Sequence, residues 1–365
     1  MTVIDLGLPR AARSAAAGNG PSAAAPARAD GPLIDTFGRV ATDLRVSVTD
    51  RCNLRCTYCM PADGLDWLPS DDLLTTAEFI RVLTIAVRDL GVRRIRFTGG
   101  EPLLRRDLEK IIGALAGLAD RPELTLTTNG LGLAHRAKGL AAAGLDRINV
   151  SLDTIDRARY AEITRRDRLP SVLDGLAAAR AAGLDPVKVN AVLPSRADLD
   201  ALPDLLAFTL AQGYQLRIIE AMPLDADHRW DRTTMVTADE ILAALRSEYT
   251  LDPDPAPRGN APAATWLVRG YTDRSGRPAR VGVIAAVTRP FCGDCDRTRL
   301  TADGALRNCL FTDTETSLIR PLRSGGTDAE IATLWRSDTW RKKAGHGMDS
   351  AHFHQPRRPM SAIGG

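Results

Sequence analysis

Six cysteines in this 365-residue chain fall into two groups of three, Cys52, Cys56 and Cys59, then Cys292, Cys295 and Cys309. Thiols gathered this way, with none left over, point to metal rather than to disulfides in a chain without secretory features. The first group is spaced Cys-x3-Cys-x2-Cys. Three such thiolates can ligate three irons of a [4Fe–4S] cluster and leave the fourth iron open to another ligand. A structural zinc ion, the competing occupant, normally takes four protein ligands, and no fourth Cys or His lies near this loop in the sequence. The second group, Cys292-x2-Cys295-x13-Cys309, leaves both readings open. It is either a zinc site completed by His346, His352 or His354, or a second cluster with an open iron.

About forty residues beyond the first group stands Thr98-Gly99-Gly100-Glu101-Pro102. Paired glycines permit close backbone approach by a ligand, and Glu101 offers an acceptor for an ammonium group. Alone this would be a weak turn signal; behind a three-cysteine loop it gains weight. Between the later cysteines lies Arg297-Thr298-Arg299, and the sequence ends Ser361-Ala362-Ile363-Gly364-Gly365. A net charge of +3 and only 5% aromatic residues argue against a nucleic-acid surface, whereas local Arg clusters suit a small polyanion such as a nucleoside triphosphate.

These residues must be held by regular elements. Short β-branched runs at 44–48, 94–98, 124–127, 147–151, 186–190 and 216–220 alternate with helical windows. Phe79, Leu83, Val87 and Leu90 share one helical face behind a Thr75-x-x-Glu78 capping box, with Gly91 after it. A second helix carries Leu108, Ile111, Ile112, Leu115 and Leu118, and further windows fall at about 133–143, 171–182 and 198–211. Alternation of this kind means parallel βαβ units, and about six of them make an α/β fold with a full or partial (β/α)6 TIM-like barrel. The first cysteine loop then follows the first strand, at the end where such barrels carry their chemistry. Beyond about residue 237 the alternation stops, and the Asp252–Pro257 turn cluster precedes strands around Trp266 and Val281. The expected division is a disordered leader over 1–33, a barrel over 34–236 and a cysteine-bearing C-terminal unit over 237–365. A transit peptide is the rival reading of the leader. No stretch is long and apolar enough to span a membrane, and the N-terminus lacks an apolar signal core, so a cytoplasmic protein is expected.

Cys52-Asn-Leu-Arg-Cys56-Thr-Tyr58-Cys59 resembles the signature of the radical S-adenosylmethionine (SAM) superfamily, and the Gly-Gly-Glu segment matches that superfamily's second motif. With Arg297-Thr-Arg299 and the Gly-Gly ending, the sequence from about Phe37 onward resembles the GTP 3′,8-cyclase family of molybdenum cofactor biosynthesis. The resemblance implies a barrel of the radical SAM type with a C-terminal extension bearing a second [4Fe–4S] cluster. It implies that the first cluster cleaves SAM reductively and that the 5′-deoxyadenosyl radical takes hydrogen from C3′ of GTP, joining C3′ to C8. It assigns Tyr58, Gly100, Glu101, Ser151 and Met222 to SAM. It assigns Arg45, Arg96, Thr127, Lys188, Arg297, Thr298 and Arg299 to GTP, the open iron of the second cluster to guanine, and Gly364 and Gly365 to a tail reaching the active site. Arg93, Arg94, Arg105 and Arg106 are expected at the surface. The implied partners are a reductant such as flavodoxin or ferredoxin and the next pathway enzyme, cyclic pyranopterin monophosphate synthase; no DNA or RNA is expected, and the chain is taken as a monomer or homodimer. A peptide-modifying radical SAM enzyme and a non-enzymatic iron–sulfur sensor are the alternatives.

Overall fold

The computed structural model describes residues 30–350 and 352–364, so most of the expected leader and Gly365 lie outside the described residues. The first half alternates as the periodicity requires: β1 (Asp43–Ser47), α1 (Thr76–Arg88), β2 (Arg94–Thr98), α2 (Leu108–Ala116), β3 (Glu123–Thr128), α3 (Leu133–Ala142), β4 (Arg147–Ser151), α4 (Arg157–Thr164), α5 (Leu169–Ala181), β5 (Val187–Val192), α6 (Leu202–Gln212) and β6 (Gln215–Ile219). The Thr75/Glu78 capping box forms reciprocally at the start of α1, and Phe79, Val82, Leu83 and Val87 bury its inner face. Then come α7 (Ala238–Arg246), β7 (Leu251–Pro253), β8 (Ala264–Thr272), β9 (Pro278–Ile284), β10 (Arg297–Leu300), β11 (Ala305–Arg307), β12 (Thr316–Ser317), α8 (Ile319–Arg323), α9 (Asp328–Trp340) and α10 (Met360–Ile363). Helix α7 begins where the alternation was expected to stop, and its own Thr237/Glu240 capping box is the signal that the strand pattern masked.

Among the described residues twelve strands form one sheet, in the order β12-β11-β10-β1-β2-β3-β4-β5-β6-β9-β8-β7. Strands β1 to β6 run parallel in sequence order, β10 adds parallel to β1, and β9 adds parallel to β6. The later part of the chain therefore extends the open barrel at both edges and brings its cysteines to the first strand. The open order fits a partial barrel with an extension rather than a closed ring.

Strand alternation sorts residues between two environments. On β2 to β6, Ile95, Phe97, Leu124, Leu126, Ile148, Val150, Val187, Val189, Leu216 and Ile218 join the helices in the main hydrophobic core. The intervening positions turn to the concave side and are polar. In register across neighbouring strands, Arg299 pairs with Arg45 and Arg45 with Arg96, while Thr127 pairs with Asn149 and Asn190 with Arg217. A one-residue slip would exchange core and cavity, so the outer face fixes the inner one. No helix among the described residues is long and apolar enough to cross a membrane.

Candidate active site

The concave side encloses a cavity of about 550 Å³, lined by all six cysteines. All six are free thiols. Residues 48–60 leave β1 and carry the first group. Cys59 and Met60 both donate their N–H groups to the Cys56 carbonyl at 3.0 Å, forming a tight turn. Asn129 holds the other end, donating to Asn53 Oδ1 at 2.7 Å and to Cys52 Sγ at 3.8 Å. The paired glycines support this loop from beneath. Gly100 donates to the Thr49 carbonyl at 2.8 Å and Glu101 to that of Arg51 at 2.7 Å. A Cβ on Gly99 would lie 2.3 Å from the Thr49 oxygen, and one on Gly100 2.3 Å from the Arg51 oxygen. The close approach these glycines permit is thus first to the cysteine loop's own backbone, although Gly100 also lines the cavity.

Burial pushes the Cys59 thiol up to about 12 and the Cys56 thiol well above its usual value, with neighbouring thiols adding to the effect in both cases. Three crowded, mutually repelling thiolates, of which Arg55 lowers only Cys52 and does not outweigh its burial, are satisfied by a bound cationic group, and an all-sulfur donor set suits iron in a cluster. Among the described residues no three His, Cys, Asp or Glu side chains gather closely enough to share a single metal ion. The second group sits in a different field. Burial alone would raise the Cys295 thiol, but Lys342 and Arg297 outweigh it and lower it.

Tyr58 lines the cavity and donates to Asp153 Oδ2 at 2.8 Å, while the other Asp153 oxygen accepts from Val192 N–H at 2.8 Å. Burial raises the Asp153 carboxyl to about 6. Ser151 and Met222 also line the cavity, at and just beyond the ends of β4 and β6.

Opposite them, Arg45, Arg96, Arg297, Arg299 and Thr127 line the same cavity. Arg96, Arg297 and Arg299 are each less than a tenth exposed. The Nε of Arg96 is buried without a hydrogen-bond partner among the described residues. Burial and Arg45 push Arg299 down to about 9, and burial with Arg45 lowers Arg96 strongly. Guanidinium groups stay charged at neutral pH, so this push registers a positive potential that a bound polyanion would relieve.

The tail enters this space. Arg358 pairs with Asp303 at 2.8 Å, and Met360 N–H donates to the Leu224 carbonyl at 3.3 Å. Ser361 N–H then donates to the Cys59 thiol, and Arg299 donates to the Gly364 carbonyl. Gly364 has φ +82°, and a Cβ there would lie 2.6 Å from Thr98 Cγ2. The backbone passes where no side chain fits.

Several expected positions are placed otherwise. Glu101 is fully buried and absent from the cavity wall. Its carboxylate accepts from Leu103 N–H at 2.9 Å, Thr128 Oγ1 at 2.7 Å and Asn129 N–H at 2.7 Å, bracing the loop rather than facing a ligand's ammonium group. Thr298 lies between two inward arginines, so its side chain turns outward and accepts from Trp335 Nε1 at 3.0 Å. Lys188 on β5 turns to the concave side beside Asn149 but is not among the residues lining the cavity, and burial and the charges of Arg217, Arg147 and Arg96 push it down to about 7. Arg105, expected at the surface, is largely buried beside Asp107 and donates to the carbonyls of Val48 and Leu74. Missed by the motif reading were Asp153, Asn149, Asn190 and Arg217. Arg217 donates to Asn190 Oδ1 at 3.0 Å and to Asn149 Oδ1 at 2.7 Å, and all three line the cavity. The available signal was the polar alternate position of each barrel strand.

Three thiols after the first strand of an open parallel barrel, braced by a Gly-Gly-Glu turn, define a radical SAM enzyme, and residues 46–209 match the radical SAM superfamily model. Residues 214–348 match the Molybdenum Cofactor Synthesis C model. The chain is 61% identical to the GTP 3′,8-cyclase of Mycolicibacterium smegmatis over 366 residues, and 59% identical to that of Mycobacterium marinum over 366, each covering the whole of both chains. It is 58% identical over 365 residues to GTP 3′,8-cyclase 2 of Mycobacterium tuberculosis. The chain belongs to the GTP 3′,8-cyclase family. Among solved structures, Streptococcus suis SuiB bound to S-adenosylmethionine superposes with a TM-score of 0.52 at 15% identity, covering 79% of this chain and 66% of that one, which is a likeness of fold.

Proposed function

We infer that this chain converts GTP into (8S)-3′,8-cyclo-7,8-dihydroguanosine 5′-triphosphate, the first step of molybdenum cofactor biosynthesis. The observation that carries this reading is the opening of two three-cysteine loops and a row of buried arginines into one cavity. With full-length relatives near 60% identity named for the cyclase, the peptide-modifying and sensor alternatives fall away.

In this reading Cys52, Cys56 and Cys59 hold one [4Fe–4S] cluster, and Cys292, Cys295 and Cys309 hold the other. When bound, the first cluster and SAM supply a 5′-deoxyadenosyl radical able to take hydrogen from C3′ of GTP. The protein's own part is binding, orientation and exclusion of water. Tyr58 and Gly100 flank SAM from the loop side, with Ser151 and Met222 at the strand ends. Arg45, Arg96, Arg217, Arg297 and Arg299 take the triphosphate, whose charge offsets their mutual repulsion. Thr127 adds a hydroxyl to that wall, and Lys188 contributes charge from the concave face of β5 beside Asn149. Cys292, Cys295 and Cys309 would hold the second cluster beside the arginine wall, where it could serve as a binding point for the guanine base. The Arg299–Gly364 contact fixes the tail beside the first loop, so Gly364 sets how closely substrate and cofactor can approach.

We place the enzyme in the cytoplasm, as a monomer or homodimer, fed by a flavodoxin or ferredoxin and followed by cyclic pyranopterin monophosphate synthase. Residues 34–236 are taken as the radical-generating unit and 237–365 as the unit that presents the substrate. The test is anaerobic incubation of the reconstituted protein with SAM, a reductant and a panel of nucleotides. GTP loss coupled to 5′-deoxyadenosine is expected; 5′-deoxyadenosine without loss of any nucleotide would refute the reading.

A further inference from the structure

The second cysteine turn is gripped from outside the cavity by two cations brought from opposite ends of the chain. Lys342, just beyond α9, is only 4% exposed. Its ammonium donates to the Cys295 carbonyl at 3.1 Å, to Cys295 Sγ at 3.2 Å and to the Arg297 carbonyl at 2.7 Å. That uses all three of its N–H groups. On the other side Arg39, from the short hairpin bridged by Ile34 and Val40, donates to the Cys292 carbonyl at 2.6 Å. Its Nε pairs with Asp35 at 2.6 Å, and its remaining N–H groups reach the carbonyls of Ala344 at 2.9 Å and Lys343 at 2.6 Å. The carbonyls of both cysteines in the Cys292-x2-Cys295 turn are therefore fixed by side chains outside the cavity wall.

The two grips differ in one respect. Arg39 has its own carboxylate, so its charge is balanced before it touches the turn. The Lys342 ammonium donates to two neutral carbonyls and one sulfur. An ammonium taken out of water needs an anion, and among these three acceptors only the Cys295 thiolate can supply one.

We propose that Lys342 is a positioning residue for the second cluster: through its N–H to Cys295 Sγ it holds that ligand in place and raises the cluster's reduction potential. A positive charge beside a ligating sulfur stabilises the electron added on reduction, and hydrogen bonds to cluster sulfurs act in the same direction. In the first cysteine loop the side chains that hydrogen-bond to sulfur are neutral, the Asn129 amide at Cys52 and the Tyr58 hydroxyl at Cys56, while Arg55 donates to the Cys52 carbonyl at 2.9 Å. The inference rests on the reading that Cys292, Cys295 and Cys309 hold a cluster.

The experiment uses the full chain with Cys52, Cys56 and Cys59 replaced by Ala, so that iron reports on the second site alone. In that parent, Lys342→Met, Lys342→Gln and Lys342→Arg are reconstituted. Midpoint potentials are read by electron paramagnetic resonance during redox titration, and iron release is timed against a ferrous chelator. Lys342→Met is expected to shift the midpoint to lower potential and to release iron several-fold faster. Lys342→Arg, which keeps the charge, is expected to restore the potential more fully than Lys342→Gln, which keeps only a neutral donor. Should Lys342→Met fail to fold or load, the Gln and Arg variants carry the comparison, since both retain a donor and differ in charge. A midpoint in Met, or in both Gln and Arg, equal to that of the lysine parent would overturn the proposal. A parent that binds no iron would instead sink the cluster reading on which it rests.

Discussion

The two cysteine loops share a ligand type and a cavity but stand in electrostatic settings that differ most at Cys295. In the first, buried thiols raise one another, Cys59 to about 12, and the nearby acidic groups Asp153 and Glu101 are themselves pushed up by burial. In the second, Lys342 and Arg297 lower Cys295 against the effect of its burial. Cationic side chains hold carbonyls in both loops, Arg55 and Arg165 in the first and Arg39 and Lys342 in the second, but the first also rests on the close backbone approach of Gly99 and Gly100, and in the second Lys342 reaches a sulfur as well. In the proposed reading fixed cations meet the triphosphate, and the fold gathers them because β10 joins β1 edge to edge and sets Arg299 beside Arg45.

Breaking each loop separately should break a different function. Cys56→Ala should abolish SAM cleavage while about four irons per chain remain in the second site. Cys309→Ala should leave SAM cleavage intact but uncouple it from GTP, as measured by 5′-deoxyadenosine formed without nucleotide loss. The reverse pattern would exchange the two assignments.

The tail joins the two settings, since Ser361 meets Cys59 and Gly364 meets Arg299. Removing Gly364 and Gly365 should leave iron content unchanged and lower cyclised product per SAM cleaved by roughly 100-fold, the scale of an error of about 1 Å in placement. Gly364→Ala should act in the same direction, because φ is +82° and its Cβ would overlap Thr98. Wild-type coupling in both would make the tail dispensable.

How much of this was legible in the sequence varies with the physics that wrote each part. Strand and helix periodicity recovered β1 to β6 and the helices between them except α4, because burial against one face imposes it. Cysteine spacing located both loops. What could not be read was side-chain direction at a strand's end. Arg297-Thr298-Arg299 appears as one motif, yet pleating sends Thr298 to Trp335 and the arginines to the cavity. Glu101 looked like a ligand for an ammonium group, but its partners are donors contributed by residues 103, 128 and 129, which only the folded chain assembles. Arg217 and its asparagines carry no motif and were found by register alone.

The cationic wall can be sharpened one residue at a time. Arg299→Ala should weaken GTP binding by about 1.5 to 3 kcal/mol, roughly 10- to 150-fold, without loss of iron. Unchanged affinity by calorimetry would remove it from the site. Lys188 gives a smaller, signed effect. Its ammonium is pushed down to about 7 in the free fold, so above pH 7 it is mostly neutral. Nearby phosphate oxygens favour the charged form and raise it again, so GTP binding at pH 8 should take up protons, and affinity should fall as pH rises through 7. Calorimetry in buffers of different ionisation enthalpy reads that uptake. Lys188→Met should remove most of it; equal uptake in the variant would place Lys188 out of reach of the phosphates.

On the proposed reading both loops serve one cavity, with the radical formed at the first and spent on a nucleotide held at the second. The most direct test is GTP carrying deuterium at C3′, incubated anaerobically with the reconstituted chain, SAM and a reductant. Deuterium should appear in the 5′-deoxyadenosine in step with GTP consumption. 5′-Deoxyadenosine free of deuterium while GTP is consumed would contradict the account.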